Sequence, residues 1–371
     1  MLTGNRLRVV LVLLVLCLTG ASASALAKEG DHKDSGEDPG FPAPQGDEAI
    51  LPKDAKLERV FDGGCFLTEG PAAGPDGYVY FTDITFTDKC KAEHSKYLQA
   101  GVIYRYDPDS GKTEVYRSPS GMANGLKFDA EGDLLVAEGA DFGGRRVTKT
   151  DLETGKSVII AGLYEGRSFD SPNDITIDEK GRIYFTDPRY NGYEPLDQPV
   201  QGVYRIDPDG SIHRIISNAG KPNGVVVSPD QKTLYVGVND QGVEDEERLS
   251  QEELDKIKNL AQAVYAYDLN ENGTVDRGHK IVDYLPEAGP DGMDVDKEGN
   301  LYVAVRDETA PGIYVYSPEG KQLARILTDE KNLPTNVGFG RGDDSDVLYV
   351  TAGKSLYRIT LNSEGYQLPT D

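Results

Sequence analysis

The sequence predicts an all-β fold, a six-bladed β-propeller built from four-stranded antiparallel blades. The first observation behind this prediction is a polar residue that recurs along the chain at intervals of 55, 49, 50, 68 and 45 residues. A period of this size is typical of repeat architectures such as propellers. We call these positions the head residues, and they are Glu69, Asn124, Asn173, Asn223, Asp291 and Asn336.

The second observation is that each repeat holds four short segments of strand-forming residues. In the third repeat these segments read NDITID, GRIYFTD, GVYRID and SIHRII, with Lys-Gly and Asp-Gly pairs at turns between them. Segments rich in Ile, Val, Tyr and Thr that are separated by such turns predict antiparallel hairpins. Four antiparallel strands in each repeat describe a propeller blade.

The third observation concerns the two ends of the repeat region. The last repeat has only a weak fourth strand, whereas the strand-like segment LERVF at 57–61 precedes the first repeat. We expect this N-terminal strand to complete the sixth blade, because closing the ring removes exposed sheet edges. Residues 243–262 break the pattern, since the capping-box sequence SQEE and helically spaced apolar residues predict a short helical insert in blade four.

The N-terminal region predicts an exported protein. Two arginines precede a short apolar run at 9–18, and small residues follow it, which predicts a signal peptide at 1–27. An uncleaved anchor is the alternative, but the run is short for a membrane span. Residues 28–50 predict a flexible leader, and a single propeller domain follows at 51–371. We expect a periplasmic or secreted protein with no membrane span after signal cleavage.

Charge and cysteine content narrow the function further. The formal net charge is −24, which argues against binding to nucleic-acid phosphates and favours plain solubility. Cys17 lies in the predicted signal peptide. Cys65 and Cys90 therefore remain as candidates for one disulfide in an oxidising compartment.

Strand direction places the head residues and the long loops on one face of the propeller. The head residues lie in the connections that lead into the first strand of each blade. The long loops 83–100, 137–146 and 187–202 join second to third strands. Since successive strands run in opposite directions, both kinds of connection lie at the same end. Apolar residues follow four of the heads at two and four positions, whereas at Asn336 they follow at one and three.

The chemistry of the head residues predicts a cation site, although a plain Asn-Gly turn is the alternative for any single copy. The donors are carboxylate and amide oxygens, with no His or Cys among them. Such oxygens favour Ca²⁺ over Zn²⁺ or Cu²⁺, and Glu69 and Asp291 bring two negative charges that match a divalent ion. Zn²⁺, Mg²⁺ and Mn²⁺ stay open as alternatives.

Several segments resemble the senescence marker protein/gluconolactonase/regucalcin-like family, and most of all the bacterial gluconolactonases. They are EGP with PDGYVYFTDI, SPNDITIDEKGRIYFTDPRY, KPNGVVVSPDQKTLYVGVND and GPDGMDVDKEGNLYVAV. The resemblance covers about residues 57–360 and implies a six-bladed propeller with one catalytic divalent metal, often Ca²⁺. It implies metal ligands at Glu69, Asn173, Asn223 and Asp291, with Asp291 also as general base.

The expected function is therefore metal-dependent hydrolysis of a small-molecule sugar lactone. The cation would polarise the lactone carbonyl, and Asp291, with Glu69 as the alternative, would activate water. Asn124, Arg189 and Tyr190 are expected to bind substrate, against the alternatives of a turn residue or a solvated loop. The oligomeric state stays open.

Two other functions remain open from the sequence. One is a phosphotriesterase-like hydrolase with the same metal centre, and the other is a non-enzymatic propeller with a structural ion that binds a protein or a glycan. The chain has Ala72 and Ala73 where the family often has a bulky residue, which leaves the shape of the substrate open. Long loops gathered on the face of the heads favour the enzyme.

Overall fold

The computed structural model describes residues 40–87, 89–90, 99–240, 250–252 and 261–368. The predicted all-β propeller is confirmed, because six antiparallel sheets contain the repeats in chain order. In the described part of the chain, the apolar residues form six clusters, and each cluster lies between two neighbouring blades. The core is thus a ring of inter-blade interfaces rather than one central mass.

The strands of each blade follow chain order from the inner to the outer edge. Blade one contains β3 (Thr68–Ala73), β4 (Val79–Asp83), β5 (Val102–Asp107) and β6 (Lys112–Arg117). Blade two contains β7 (Ala123–Phe128), β8 (Leu134–Glu138), β9 (Arg146–Thr150) and β10 (Ser157–Ala161). Blade three contains β13 (Ile175–Ile177), β14 (Ile183–Asp187), β15 (Gly202–Ile206) and β16 (Ile212–Ile216).

The remaining blades repeat this order. Blade four contains β17 (Pro222–Val227), β18 (Thr233–Asn239), β19 (Gln262–Asp268) and β20 (His279–Asp283). Blade five contains β21 (Pro290–Val295), β22 (Leu301–Val305), β23 (Gly312–Tyr316) and β24 (Gln322–Leu327). Blade six contains β25 (Pro334–Phe339), β26 (Val347–Ala352), β27 (Ser355–Thr360) and, as its outer strand, β2 (Glu58–Asp62). Outside the blades lie the hairpin of β11 (Leu163–Tyr164) and β12 (Arg167–Ser168) and a 3₁₀ turn at Gly342–Asp344.

The ring closes as the sequence predicted. Strand β2 pairs antiparallel with β27, so residues from both ends of the repeat region share one sheet. Phe61 of β2 is buried, and its ring centroid lies 5.2 Å from that of Phe81 and 5.1 Å from that of Tyr104 in blade one. The closing strand therefore also contributes to the interface between blades six and one.

Residues 40–50, the last part of the expected leader, pack against the propeller. Strand β1 (Gln45–Gly46) pairs with β24 as a fifth strand of blade five, and Ile50 is buried in the cluster between blades five and six. The predicted signal peptide lies outside the described residues, and so does most of the predicted insert at 243–262. Within the described ranges, no helix is long and apolar enough to cross a membrane.

Replacing Phe61 by Ala is expected to lower the free energy of unfolding by about 3–5 kcal/mol, because the cavity would open at the interface that closes the ring. The measurement is urea denaturation followed by far-ultraviolet circular dichroism. Val115→Ala is the matched control, since Val115 is 56% exposed on an outer strand and should change stability by less than about 0.5 kcal/mol. Equal effects of the two substitutions would contradict the role given to β2.

Candidate active and metal site

Five of the six head residues line one cavity of about 380 Å³ at the end of the ring where the inner strands begin. They are Glu69, Asn124, Asn173, Asn223 and Asp291. These residues lie in five successive blades, so the repeat brings together oxygen donors that are far apart in the sequence.

The sixth head residue does not line this cavity. Asn336 is the third residue of β25, whereas Asn223 and Asp291 are the second residues of their strands. Thr335 therefore occupies the equivalent position in blade six. The Asn336 side chain lies deeper in the ring, where its Oδ1 accepts from the Val337 N–H at 2.8 Å. This offset of one residue explains why apolar residues follow Asn336 at one and three positions in the sequence, instead of at two and four.

A repeated aspartate holds the connection that precedes the head residue. In blade one, the carboxylate of Asp83 accepts hydrogen bonds from the backbone N–H groups of Cys65, Phe66 and Leu67. In blade three, the carboxylate of Asp187 accepts from the N–H groups of Asp170 at 3.0 Å and Ser171 at 2.6 Å. Both aspartates end the sequence YFTD, so this motif fixes the loop that leads into the cavity.

The threonine of the same motif connects neighbouring blades. Thr82 Oγ1 donates to the carbonyl of Asn124 at 2.9 Å, and Thr186 Oγ1 donates to the carbonyl of Asn223 at 2.7 Å. Each bond runs from a second strand to the head residue of the next blade. The backbone of these two heads is thus fixed by the blade before it.

The two substrate-binding candidates of the third-blade loop have different positions. Tyr190 lines the cavity, where its hydroxyl donates to the Asn239 carbonyl at 2.8 Å and accepts from Asn223 Nδ2 at 3.3 Å. Arg189 is fully buried and is not among the described residues that line the cavity. Its guanidinium donates to carbonyls of its own loop, at Gly192 and Glu194, so it holds the loop instead of facing substrate.

The sequence analysis missed Asn239 and Arg306, which also line the cavity. Arg306 Nη1 lies 3.3 Å from Asp291 Oδ2, so the positively charged guanidinium of Arg306 faces one of the two head carboxylates. Both residues occupy the same place in their repeats, just after the six-residue core of the second strand. Ile84, Gly139 and Gly353 occupy this place in other blades and line the cavity too. Alignment of the second strands is the signal that could have found them.

Burial makes the two head carboxylates costly to ionise. Glu69 is 4% exposed and Asp291 is 7% exposed. Burial raises the pKa of Asp291 to about 6, although the nearby Arg306 opposes this rise. Burial raises the pKa of Glu69 well above its usual range, and repulsion from Asp291 raises it further. A divalent cation between these groups would favour their ionised forms, because opposite charge offsets the loss of hydration.

The other head residues in the cavity carry amide groups. The side-chain oxygen of Asn124 is buried and has no hydrogen-bond partner among the described residues, so it could accept a hydrogen bond from a ligand. No group of three or more His, Cys, Asp or Glu side chains that could hold a metal ion occurs within the described ranges. A cation in this cavity would therefore need amide oxygens beside the two carboxylates, which is the ligand chemistry that Ca²⁺ accepts.

Cys65 and Cys90 form a disulfide at the edge of the cavity, with their Cα atoms 6.2 Å apart. The bond joins the connection before β3 to the loop after β4. Both segments contribute lining residues, so the disulfide fixes one side of the cavity.

Comparison with known proteins places this geometry in a family. The SMP-30/gluconolactonase/LRE-like region matches residues 144–354, which is more than half of the chain, and the protein belongs to this family. The gluconolactonase of Zymomonas mobilis is 29% identical over 293 residues, covering 72% of this chain and 74% of that protein. The pentonolactonase XacC of Haloferax volcanii is 29% identical over 301 residues, covering 80% and 84%.

A solved structure shares the fold. A gluconolactonase of Xanthomonas campestris superimposes with a TM-score of 0.69 at 24% identity, over 87% of this chain and 95% of that one. At this identity the likeness shows the propeller fold alone.

We expect substitutions of two buried polar residues, Thr186 and Asn239, to differ in their effect on stability. Thr186→Val should lower the free energy of unfolding by about 1–3 kcal/mol, because it leaves the Asn223 carbonyl and the Asp174 N–H without their shared partner. Asn239→Ala should leave stability unchanged within about 0.5 kcal/mol, because its side-chain atoms have no partner among the described residues. Urea denaturation measures both, and a larger loss for Asn239→Ala would show that Asn239 is structural.

Proposed function

We propose that this protein hydrolyses sugar lactones in the cavity that the head residues line. The reaction would use a divalent cation, with Ca²⁺ as the preferred ion, held by Glu69, Asn173, Asn223 and Asp291. Membership of the family and relatives named for lactone hydrolysis make the chain a lactone-hydrolysing enzyme. The observation that carries the finer proposal is the cavity itself. It gathers two buried carboxylates and three amide side chains from five blades.

A bound cation would act as a Lewis acid toward the lactone carbonyl oxygen. Glu69 and Asp291 would supply the negative charge that holds it, and Asn173 and Asn223 would supply neutral oxygens. This division suits a hard divalent ion, which prefers carboxylate and amide oxygens.

Asp291 is proposed to act as the general base. Its carboxylate would take a proton from the water whose oxygen adds to the carbonyl carbon. This proton would pass to the ring oxygen as the ring C–O bond breaks, and the product is a hydroxy acid. The base must be ionised to do this. Arg306 at 3.3 Å favours the ionised form, since it lowers the pKa that burial raises. Glu69 is the alternative base, but burial and repulsion from Asp291 raise its pKa and so oppose its ionised form.

Other polar side chains of the cavity are proposed to orient the substrate. Asn124 and Asn239 line the cavity and carry buried oxygens without partners among the described residues. Sugar hydroxyl groups would satisfy these atoms, because a buried amide gains most from a hydrogen bond when it has none. Tyr190 lines the same side and orients Asn223 through its hydroxyl.

We also propose that the protein is exported and works in the periplasm or outside the cell. The signal-like sequence at 1–27 supports this proposal, as does the Cys65–Cys90 disulfide, because such bonds persist in oxidising compartments.

Removal of divalent ions by a chelator is expected to abolish lactone hydrolysis, and Ca²⁺ should restore it. The measurement is proton release in a weakly buffered solution, with titration by Ca²⁺, Zn²⁺, Mg²⁺ or Mn²⁺ after dialysis. Because two buried carboxylates would lose their counter-charge, the melting temperature should fall together with the activity. Full activity in the presence of chelator would refute metal dependence, and a fall in melting temperature with no lactonase activity in any metal would favour a structural ion.

Asp291→Asn is expected to lower kcat by about 10²- to 10⁴-fold, because the amide cannot accept the proton of the attacking water. Asp294→Asn is the matched control: Asp294 lies in the same strand and is buried, but it pairs with Lys127 at 3.2 Å and is not among the described lining residues. Asp294→Asn should lower the free energy of unfolding, because it weakens this ion pair, and should leave kcat of the folded enzyme nearly unchanged. Near-normal turnover by Asp291→Asn would remove Asp291 from the role of base.

A further inference from the structure

We infer that the lactone hydrolysed here carries an alkyl substituent on its ring, which binds against an apolar wall of the same cavity. This inference rests on the proposed lactone hydrolysis and specifies its substrate class. It comes from the uneven distribution of side chains around the cavity, which the head residues alone do not explain.

The cavity has a polar half and an apolar half. The polar half comes from blades two to five and contains the amide heads, Tyr190, Asn239, Asp291 and Arg306. The apolar half comes from blades six, one and two, and we call it the apolar wall. Its residues are Phe66, Leu67, Ile84, Phe86, Met122 and Leu333.

The apolar wall faces the cavity rather than the core. Phe66, Leu67, Ile84, Phe86 and Leu333 are half-buried, whereas the apolar residues of the inter-blade clusters are almost fully buried. An exposed apolar surface inside a concave site marks a place for an apolar ligand group. Of the charged lining residues in these blades, Glu330 and Lys331 are exposed, whereas the head residue Glu69 and Asp141 are buried.

The wall is held in place before any ligand binds. The rings of Phe66 and Phe86 meet edge to face, with centroids 4.8 Å apart. The Cys65–Cys90 disulfide joins the two segments that carry them. Asp83 accepts the N–H groups of Phe66 and Leu67, so its carboxylate fixes the first of these segments.

The second segment is fixed as well. Asp141, which lines the cavity from blade two, accepts the Thr87 N–H at 2.6 Å and the Thr87 hydroxyl at 3.1 Å. A wall fixed from both sides binds an apolar group without first becoming ordered, and this lowers the entropic cost of binding.

A polyhydroxylated lactone with no apolar substituent could form favourable contacts only with the polar half of the cavity. Its hydroxyl groups would leave the apolar wall in contact with water or would lose hydrogen bonds against it. An alkyl chain on the ring would cover the wall while the carbonyl and ring oxygens remain near Asp291 and Asn223. Each buried methylene should then raise kcat/KM by up to about fourfold.

The experiment compares gluconolactone with δ-valerolactone, δ-octalactone and δ-decalactone, using the full mature chain loaded with Ca²⁺. Proton release gives kcat/KM for each lactone. We expect kcat/KM to rise from δ-valerolactone through δ-octalactone to δ-decalactone, and gluconolactone shows that the polar half of the cavity is functional. A flat or falling series, with gluconolactone hydrolysed, would overturn this inference and leave the proposed function intact. No hydrolysis of any lactone would overturn both.

Substitutions in the wall provide the second arm. Phe66→Ser and, independently, Leu333→Ser should each lower the ratio of kcat/KM for δ-decalactone to kcat/KM for gluconolactone at least about tenfold. Leu163→Ser is the matched control, because Leu163 is 56% exposed on the β11–β12 hairpin and is not among the described lining residues. Equal losses on both lactones would show that the wall supports the fold rather than the alkyl group.

Discussion

The close approach of the inner strands around the propeller axis is the constraint on which the rest of the structure depends. A side chain at Gly70 would overlap the carbonyl of Asn124 in the next blade, and one at Gly224 would overlap the carbonyl of Asp291. Only glycine fits after these head residues, because the strands meet there through their backbones. This contact fixes where these inner strands begin, and with it the position of their head side chains in the cavity.

Gathering carboxylates at such a centre has an electrostatic cost, and the chain offsets it in different ways along the axis. Deeper in the ring, the carboxylate of Asp294 pairs with Lys127 and also accepts the Phe339 N–H at 3.0 Å. The buried carboxylate of Asp174, also deep in the ring, accepts the Val225 N–H at 3.0 Å. At the cavity, Arg306 pairs with Asp291, whereas the buried carboxylate of Glu69 has no ion pair in the part of the chain that the structure describes and accepts the Gly70 N–H at 3.4 Å. This buried carboxylate is the physical reason for the cation proposed at the cavity.

Much of this arrangement follows from periodicity that can be read directly along the chain. The phase of the apolar residues after each head predicted which heads share a position, and it also set Asn336 apart. Strand parity predicted that the long loops and the heads share one face, and Tyr190 and Asp141 of those loops do line the cavity. Arg189 was misplaced because neighbouring loop residues point in different directions, and no periodic rule applies within a loop. Arg306 and Asn239 were missed because the same repeat position holds Ile or Gly in the other three blades where it lines the cavity, so the residue type does not recur.

The sequence by itself determined the six blades, the closing N-terminal strand and the oxygen-rich set of head residues, because each depends on spacing and residue type within one repeat. Only the tertiary structure decided that Arg306 faces Asp291, that Arg189 turns into its own loop, and that Phe66 and Phe86 form one wall with Leu333. Those contacts lie in the connections between strands, where the alternation of side chains along a strand no longer gives their direction. The local pattern therefore does not predict them, although Arg306 and Asp291 lie in one blade and Arg189 bonds within its own loop.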